Sequence, residues 1–164
     1  MRLVTVIVVL AVCLAFRIAL GAIWPGAARY VDVMIVPVVW YAIAGSQRSA
    51  MLVGCAAGLL QDSWFQTGAF GTSGFKKTLV GWLLGGLGSR FDLNNQFNRF
   101  VFGTLASVSD SLLGLVLHAV LDRPGGQAEP LEIGTRALVS GLLVSLAFGL
   151  TDRLRVRRSR RSLA

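Results

Sequence analysis

Small residues fall at 71, 74, 78, 81, 85 and 88, spaced 3, 4, 3, 4 and 3. Gly71, Gly74, Gly81, Gly85 and Gly88 are joined by Thr78. This spacing places them on one face of a helix. In water, each glycine would weaken that helix by about 1 kcal/mol relative to alanine. In lipid, the same residues let a second helix backbone approach closely. The surrounding stretch, 53–91, reads VGCAAGLLQDSWFQTGAFGTSGFKKTLVGWLLGGLGSRF. Two apolar runs meet there at an acidic turn, and a lysine pair sits inside the second run. Such a helix needs a close neighbour, and its lysines need counter-charges.

Composition supports a lipid setting. The chain of 164 residues is 54% hydrophobic and only 15% charged. A soluble chain carries about 25% charged residues. A soluble domain of this size could not hide so much apolar surface, so an integral membrane protein is the economical reading. The net charge of +8 does not point to nucleic acid. Arg153, Arg155, Arg157, Arg158, Arg160 and Arg161 crowd the C-terminal end. A polybasic end beside a membrane helix marks the cytoplasmic side and the anionic lipid surface. Cys13 and Cys55 both lie in apolar runs and are read as packing residues, neither disulfide framework nor zinc site. The N-terminal run is interrupted by Arg17 and continues to Trp24, which reads as an uncleaved first span.

The expected fold is an all-α, six-helix transmembrane bundle over residues 1–152, followed by a basic cytoplasmic tail at 153–164. Spans are expected at 3–23, 28–44, 50–65, 69–87, 100–121 and 133–150. The second contains Pro37, where a kink is expected. With both termini inside, the inner segments hold Arg2, Arg48, Arg90, Arg99 and the six tail arginines, against Arg29, Arg123 and Arg136 outside. That bias predicts cytoplasmic ends. Small residues also recur at 54 and 58, at 103, 107, 110, 114 and 118 with Asp110 and His118 among them, and at 137, 141, 145 and 149. These are further faces for close packing.

At 1.5 Å per residue, Arg17, Asp62, Lys76, Lys77 and Asp110 all fall at mid-to-outer depth, the lysines about 10 Å in from the outer end. An unpaired charge at the bilayer centre costs at least ~2.5 kcal/mol. Pairing of one lysine or Arg17 with Asp62 or Asp110 is therefore expected. Two uses of such a cluster remain open. It can be structural glue that sets helix register, or a polar pocket or partner-docking groove open to the outer face. Asp62 has a separate reading as a cap for the turn that follows it. Asp32 reads as the cap of the second span, and His118 as an interfacial residue. Neighbouring lysines point about 100° apart on a helix, and spacing alone does not say which faces inward. No metal-ligand cluster, catalytic triad order or nucleophile elbow is legible. GAFGTSGFKKT is not a phosphate loop, because Phe75 separates the last glycine from the lysine and the context is membrane. Neither an enzyme nor a cofactor is expected.

The stretch 30–92 resembles the rod shape-determining MreD family. The residues that carry the likeness are Asp32, the polar turn near Gly45, Gly54, Gly58-Leu59-Leu60-Gln61-Asp62, Gly68, Gly71, Lys76-Lys77-Thr78-Leu79-Val80-Gly81-Trp82 and Gly85. The resemblance implies a non-catalytic scaffold of cell-wall elongation in the bacterial inner membrane. It implies work beside MreC, and with MreB, RodA and a class B penicillin-binding protein. It also implies a fold similar to the substrate-binding subunits of energy-coupling-factor vitamin transporters. The rival expectation follows from that similarity: a transport subunit that binds a small molecule in an outer-facing pocket. Span 6 offers only Thr135, Ser140, Ser145 and Thr151 as uncharged polar side chains, which favours packing over ligand binding.

Overall fold

The computed structural model describes residues 3–28, 30–65, 70–88, 96–121 and 130–161, and for 152–161 it describes the helix alone. The described residues form seven helices and no strand: α1 (Leu3–Ile23), α2 (Pro25–Ala28), α3 (Ile35–Ala44), α4 (Gln47–Phe65), α5 (Thr72–Gly88), α6 (Gln96–Val120) and α7 (Pro130–Arg161). Three of them are long and apolar enough to cross a membrane: α1, α6 and, over Leu131–Thr151, α7. Their outward faces are apolar. Val4, Ile7, Val12 and Phe16 of α1 are exposed, as are Leu112 and Val116 of α6 and Leu138, Leu142 and Leu146 of α7. An apolar surface of this kind suits lipid.

The short α3 stands in the middle, against α4, α5, α6 and α7. Its Ile35, Val39 and Ala42 join Val80 and Leu84 of α5, Phe102 and Ala106 of α6, and Val144 and Phe148 of α7 in one core. Its Met34 and Val38 side meets Val53 and Ala57 of α4 and Val6 and Leu10 of α1 in a second. At the far end of α3, Trp40 stacks on Phe148 with ring centres 4.4 Å apart.

The expected second span, 28–44, is not one helix. Only Ile35–Ala44 of it is a continuous helix, α3; a non-helical segment at 30–34, buried at Asp32, Val33 and Met34, precedes it, and α2 lies almost wholly ahead of the expected span. Pro37 does not kink a helix; it occupies the first turn of α3, where a missing N–H leaves no bond unmade. Non-helical backbone is tolerated at membrane depth only where protein satisfies it. Here Arg17 Nη1 donates to Val31 O at 2.9 Å, Met34 N donates to Asp32 Oδ1 at 3.1 Å, and Ile35 N donates to Asp32 O at 3.3 Å. Other boundaries also move. The third span begins at Gln47 rather than 50, the fourth at Thr72 rather than 69 and the fifth at Gln96 rather than 100, and the sixth runs from Pro130 to Arg161, so the arginine segment continues the same helix.

The glycine seam of α5 meets α4 of the same chain. A Cβ at Gly81 would come within 2.5 Å of Ala50 O, and one at Gly85 within 2.7 Å of Gln47 Cα. From the other side, Cβ atoms on Gly54 and Gly58 would collide with the backbone at Lys77 and Ser73. The glycines of both helices thus bring two backbones into direct contact, and only glycine fits there. Gly74 lies against the Leu59 side chain, and Gly88 is half-buried at the end of α5. Gly71 lies before α5, at φ 94°, in the left-handed region that favours glycine.

The α6–α7 pair repeats the device once, with Gly103 against Gly141 and Val144. The expected α7 face at 137, 141, 145 and 149 is corrected. The buried positions are Ala137, Ser140, Gly141, Val144 and Phe148, while Ser145 is half-buried and a Cβ on Gly149 would meet nothing. A buried row spaced 3, 1, 3 and 4 follows the helical period more closely than a strict every-fourth-residue row does.

Candidate functional site

The antiparallel order of the bundle brings the C-terminal ends of α1, α4 and α6 together with the N-terminal ends of α3, α5 and α7. Lys77 lies about 8 Å in from the start of α5, Arg136 about 9 Å in from the start of α7, and Arg17 about 9 Å back from the end of α1. They converge on two carboxylates, those of Asp32 and Asp110.

Asp32 is the hub. Its Oδ2 receives Lys77 Nζ at 2.5 Å and Arg136 Nη2 at 3.4 Å, and its Oδ1 lies 3.6 Å from Arg17 Nη1. Asp110 takes Lys76 Nζ at 3.5 Å, Lys77 Nζ at 3.8 Å and Arg136 Nη2 at 3.9 Å. Lys77 is the inward lysine: its side chain is 1% exposed, as is that of Asp32. Lys76 sits at the margin, with Gly114 leaving room for its stem. Arg17 also places its guanidinium 4.9 Å over the Phe65 ring.

The structure therefore brings together Arg17, Lys76, Lys77 and Asp110, and it separates Asp62 from them. Asp62 Oδ2 accepts N–H bonds from Gly71 at 3.0 Å, Ser73 at 2.9 Å and Gly74 at 3.2 Å. Among the described residues Asp62 forms no ion pair. It caps α5 from across the turn, with its charge at the positive end of that helix. Gly71 helps by turning the chain so that its amide faces this carboxylate.

Two members of the cluster were not among the expected site residues. The sequence shows Asp32 only as a cap, a role it also plays through Met34 N. Its position just ahead of an apolar run gave no sign of three cationic partners. Arg136 enters the sequence reading only as one of the three outer charges that set topology. Its place inside the sixth apolar run, six residues after Pro130, was the available signal.

The arrangement holds six charged side chains together, four cationic and two anionic. Among the described residues there is no grouping of three His, Cys, Asp or Glu side chains that would hold a metal ion. Chemically the cluster can lock helices in register and can receive an acceptor-rich group at its margin. Compared with protein-family models, with curated proteins and with solved structures, the chain matches none.

Proposed function

We propose that this chain is a non-catalytic membrane scaffold of the cell-wall elongation machinery, related to MreD and working beside MreC. In this reading it sits in the bacterial inner membrane with six crossings and cytoplasmic termini. RodA, a class B penicillin-binding protein and MreB are its further partners. One observation supports the reading. The residues that carry the resemblance form one structural unit, in which Gly54, Gly58, Gly81 and Gly85 join α4 to α5, Asp62 caps α5, and Asp32 locks Lys77. Residues that carry the likeness and also contact one another support reading the likeness as one of architecture.

The seam itself is occupied by α4, so docking of MreC falls to outward faces of the bundle. A second reading, the vitamin-binding transport subunit, draws on the buried and unpartnered hydroxyls of Ser107 and Ser140 near the polar end. Affinity purification from native membranes in mild detergent, with mass spectrometry of everything retained, separates the two. Co-purified MreC supports the scaffold. A transporter coupling subunit or a bound vitamin overturns it.

A further inference from the structure

The polar cluster is not charge-balanced. Arg17, Lys76, Lys77 and Arg136 face only Asp32 and Asp110. Four positive charges against two negative leave an excess of +2 among the described residues. Glu132, exposed one turn nearer the start of α7, reduces that to +1 even when it is counted. Asp62 does not contribute, because its charge lies on the amides of α5.

The excess is arranged in depth. The carboxylates lie at the bottom, 1% and 3% exposed, while Arg17, Lys76 and Arg136 open outward at 15%, 16% and 30%. Polar atoms without hydrogen-bond partners lie in the same region. Arg17 Nε is a buried and unbonded donor, the hydroxyls of Ser107 and Ser140 are also unbonded, and Asp110 Oδ1 is an unbonded acceptor. Ser107 stands one turn from Asp110 on α6, and Ser140 one turn from Arg136 on α7, both almost wholly buried. Excess positive charge, with an idle guanidinium donor on Arg17, suits a polyvalent acceptor that donates nothing. Buried charge of one sign is costly until it is matched. Guanidinium groups in particular match the oxygens of phosphate.

We infer that the margin formed by Arg17, Lys76 and Arg136 binds a phosphate group, carried by a lipid or free in solution. A phosphate monoester or diphosphate carries enough charge to cancel the excess, whereas a zwitterionic headgroup does not. The site lies two turns inside an apolar-skinned bundle, within reach of a headgroup at the bilayer surface. This inference is independent of the scaffold reading, since its test requires no MreC.

The test uses the purified full chain in detergent, with native mass spectrometry and thermal melting. Its probes are phosphatidic acid, phosphatidylcholine and inorganic phosphate. The arginines at 153–161 also attract anionic lipid, so a variant with those six replaced by Gln is measured alongside. Phosphatidic acid is expected to bind at least tenfold more tightly than phosphatidylcholine, and the tail variant is expected to retain that preference. Arg136→Gln is expected to reduce it about tenfold, while Arg136→Lys, which keeps the charge without the guanidinium, is expected to reduce it less. Arg17→Gln provides a second, independent loss. Inorganic phosphate raising the melting temperature in place of the lipid identifies a soluble source for the same site. Indifference to all three probes, a preference that vanishes with the tail arginines, or one unaltered in both Arg136→Gln and Arg17→Gln overturns the site.

Discussion

Asp32 and Lys77 form the shortest ion pair among the described residues. Both side chains are 1% exposed, and the pair joins the break before α3 to the second turn of α5. Removing Asp32 leaves the buried Lys77 ammonium, with Arg17 and Arg136, facing Asp110 alone, and an unmatched buried charge costs about 3–5 kcal/mol. Asp32→Asn is therefore expected to lower the melting temperature and the yield in detergent. The double variant Asp32→Asn with Lys77→Met should recover part of the loss, because both charges go together. A double variant as unstable as the sum of the singles would show that the two residues act separately. Asp62 makes a different prediction. Its role rests on accepted N–H bonds, three of which come from Gly71, Ser73 and Gly74. Asp62→Ala should destabilise by about 1–3 kcal/mol through unsatisfied amides. Asp62→Asn, which retains an acceptor oxygen, should fall between the two in a denaturation series. An Asn variant as poor as Ala would mean that charge, rather than acceptance, is what α5 requires.

At the scale of elements, α4 and α5 behave as one unit because glycine lets their backbones touch. Gly81→Leu and Gly58→Leu are expected to separate the helices and cut folded yield severely. Gly149→Ala is the matched control and should be neutral, since a Cβ there meets nothing within 4 Å. Loss of partner capture in a Gly81 variant would then be read through folding, not as damage to a docking surface. The α3 element shows the opposite strategy. At ten residues it is about 15 Å long and too short to cross a bilayer by itself, so the six-crossing reading needs the non-helical segment at 30–34 to complete that crossing. Its first turn is closed by Asp32, and the carbonyl of Val31 ahead of it is taken by Arg17. Arg17 thus has two duties, a charge in the cluster and a donor to broken backbone.

At the scale of the whole molecule, the six-crossing reading puts the Ser46 turn and the arginine segment on one side and Phe70 on the other. Ser46→Cys and Phe70→Cys, each built with Cys13 and Cys55 replaced by Ala, should label differently with an impermeant maleimide in spheroplasts. Phe70→Cys is expected to react from outside and Ser46→Cys only after lysis. Equal labelling of both would remove the proposed topology. The asymmetry of the bundle has the same origin as its charge pattern. Charged side chains inside the apolar runs gather at one end, where six helix termini meet, and the opposite end is closed by aromatic packing of Trp40 on Phe148.

Local sequence sufficed for helix, for the apolar surfaces of α1, α6 and α7, and for the existence of a close-packing seam on α5. Those properties follow from periodicity and from the cost of burying charge, and each is readable within one turn or one run. It did not suffice for the identity of the seam's neighbour, since a glycine row accepts any helix and only the fold supplied α4. Nor did it reveal the break at 30–34, because a run of apolar residues with one Asp and one Pro looks continuous until a distant Arg17 satisfies its backbone. The choice of Lys77 as the inward lysine came from residue 32, and the +2 excess depended on Arg136 arriving from another helix. Pair energies of this kind join residues 45 and 104 positions apart. They exist only once packing has excluded water and brought the charges together.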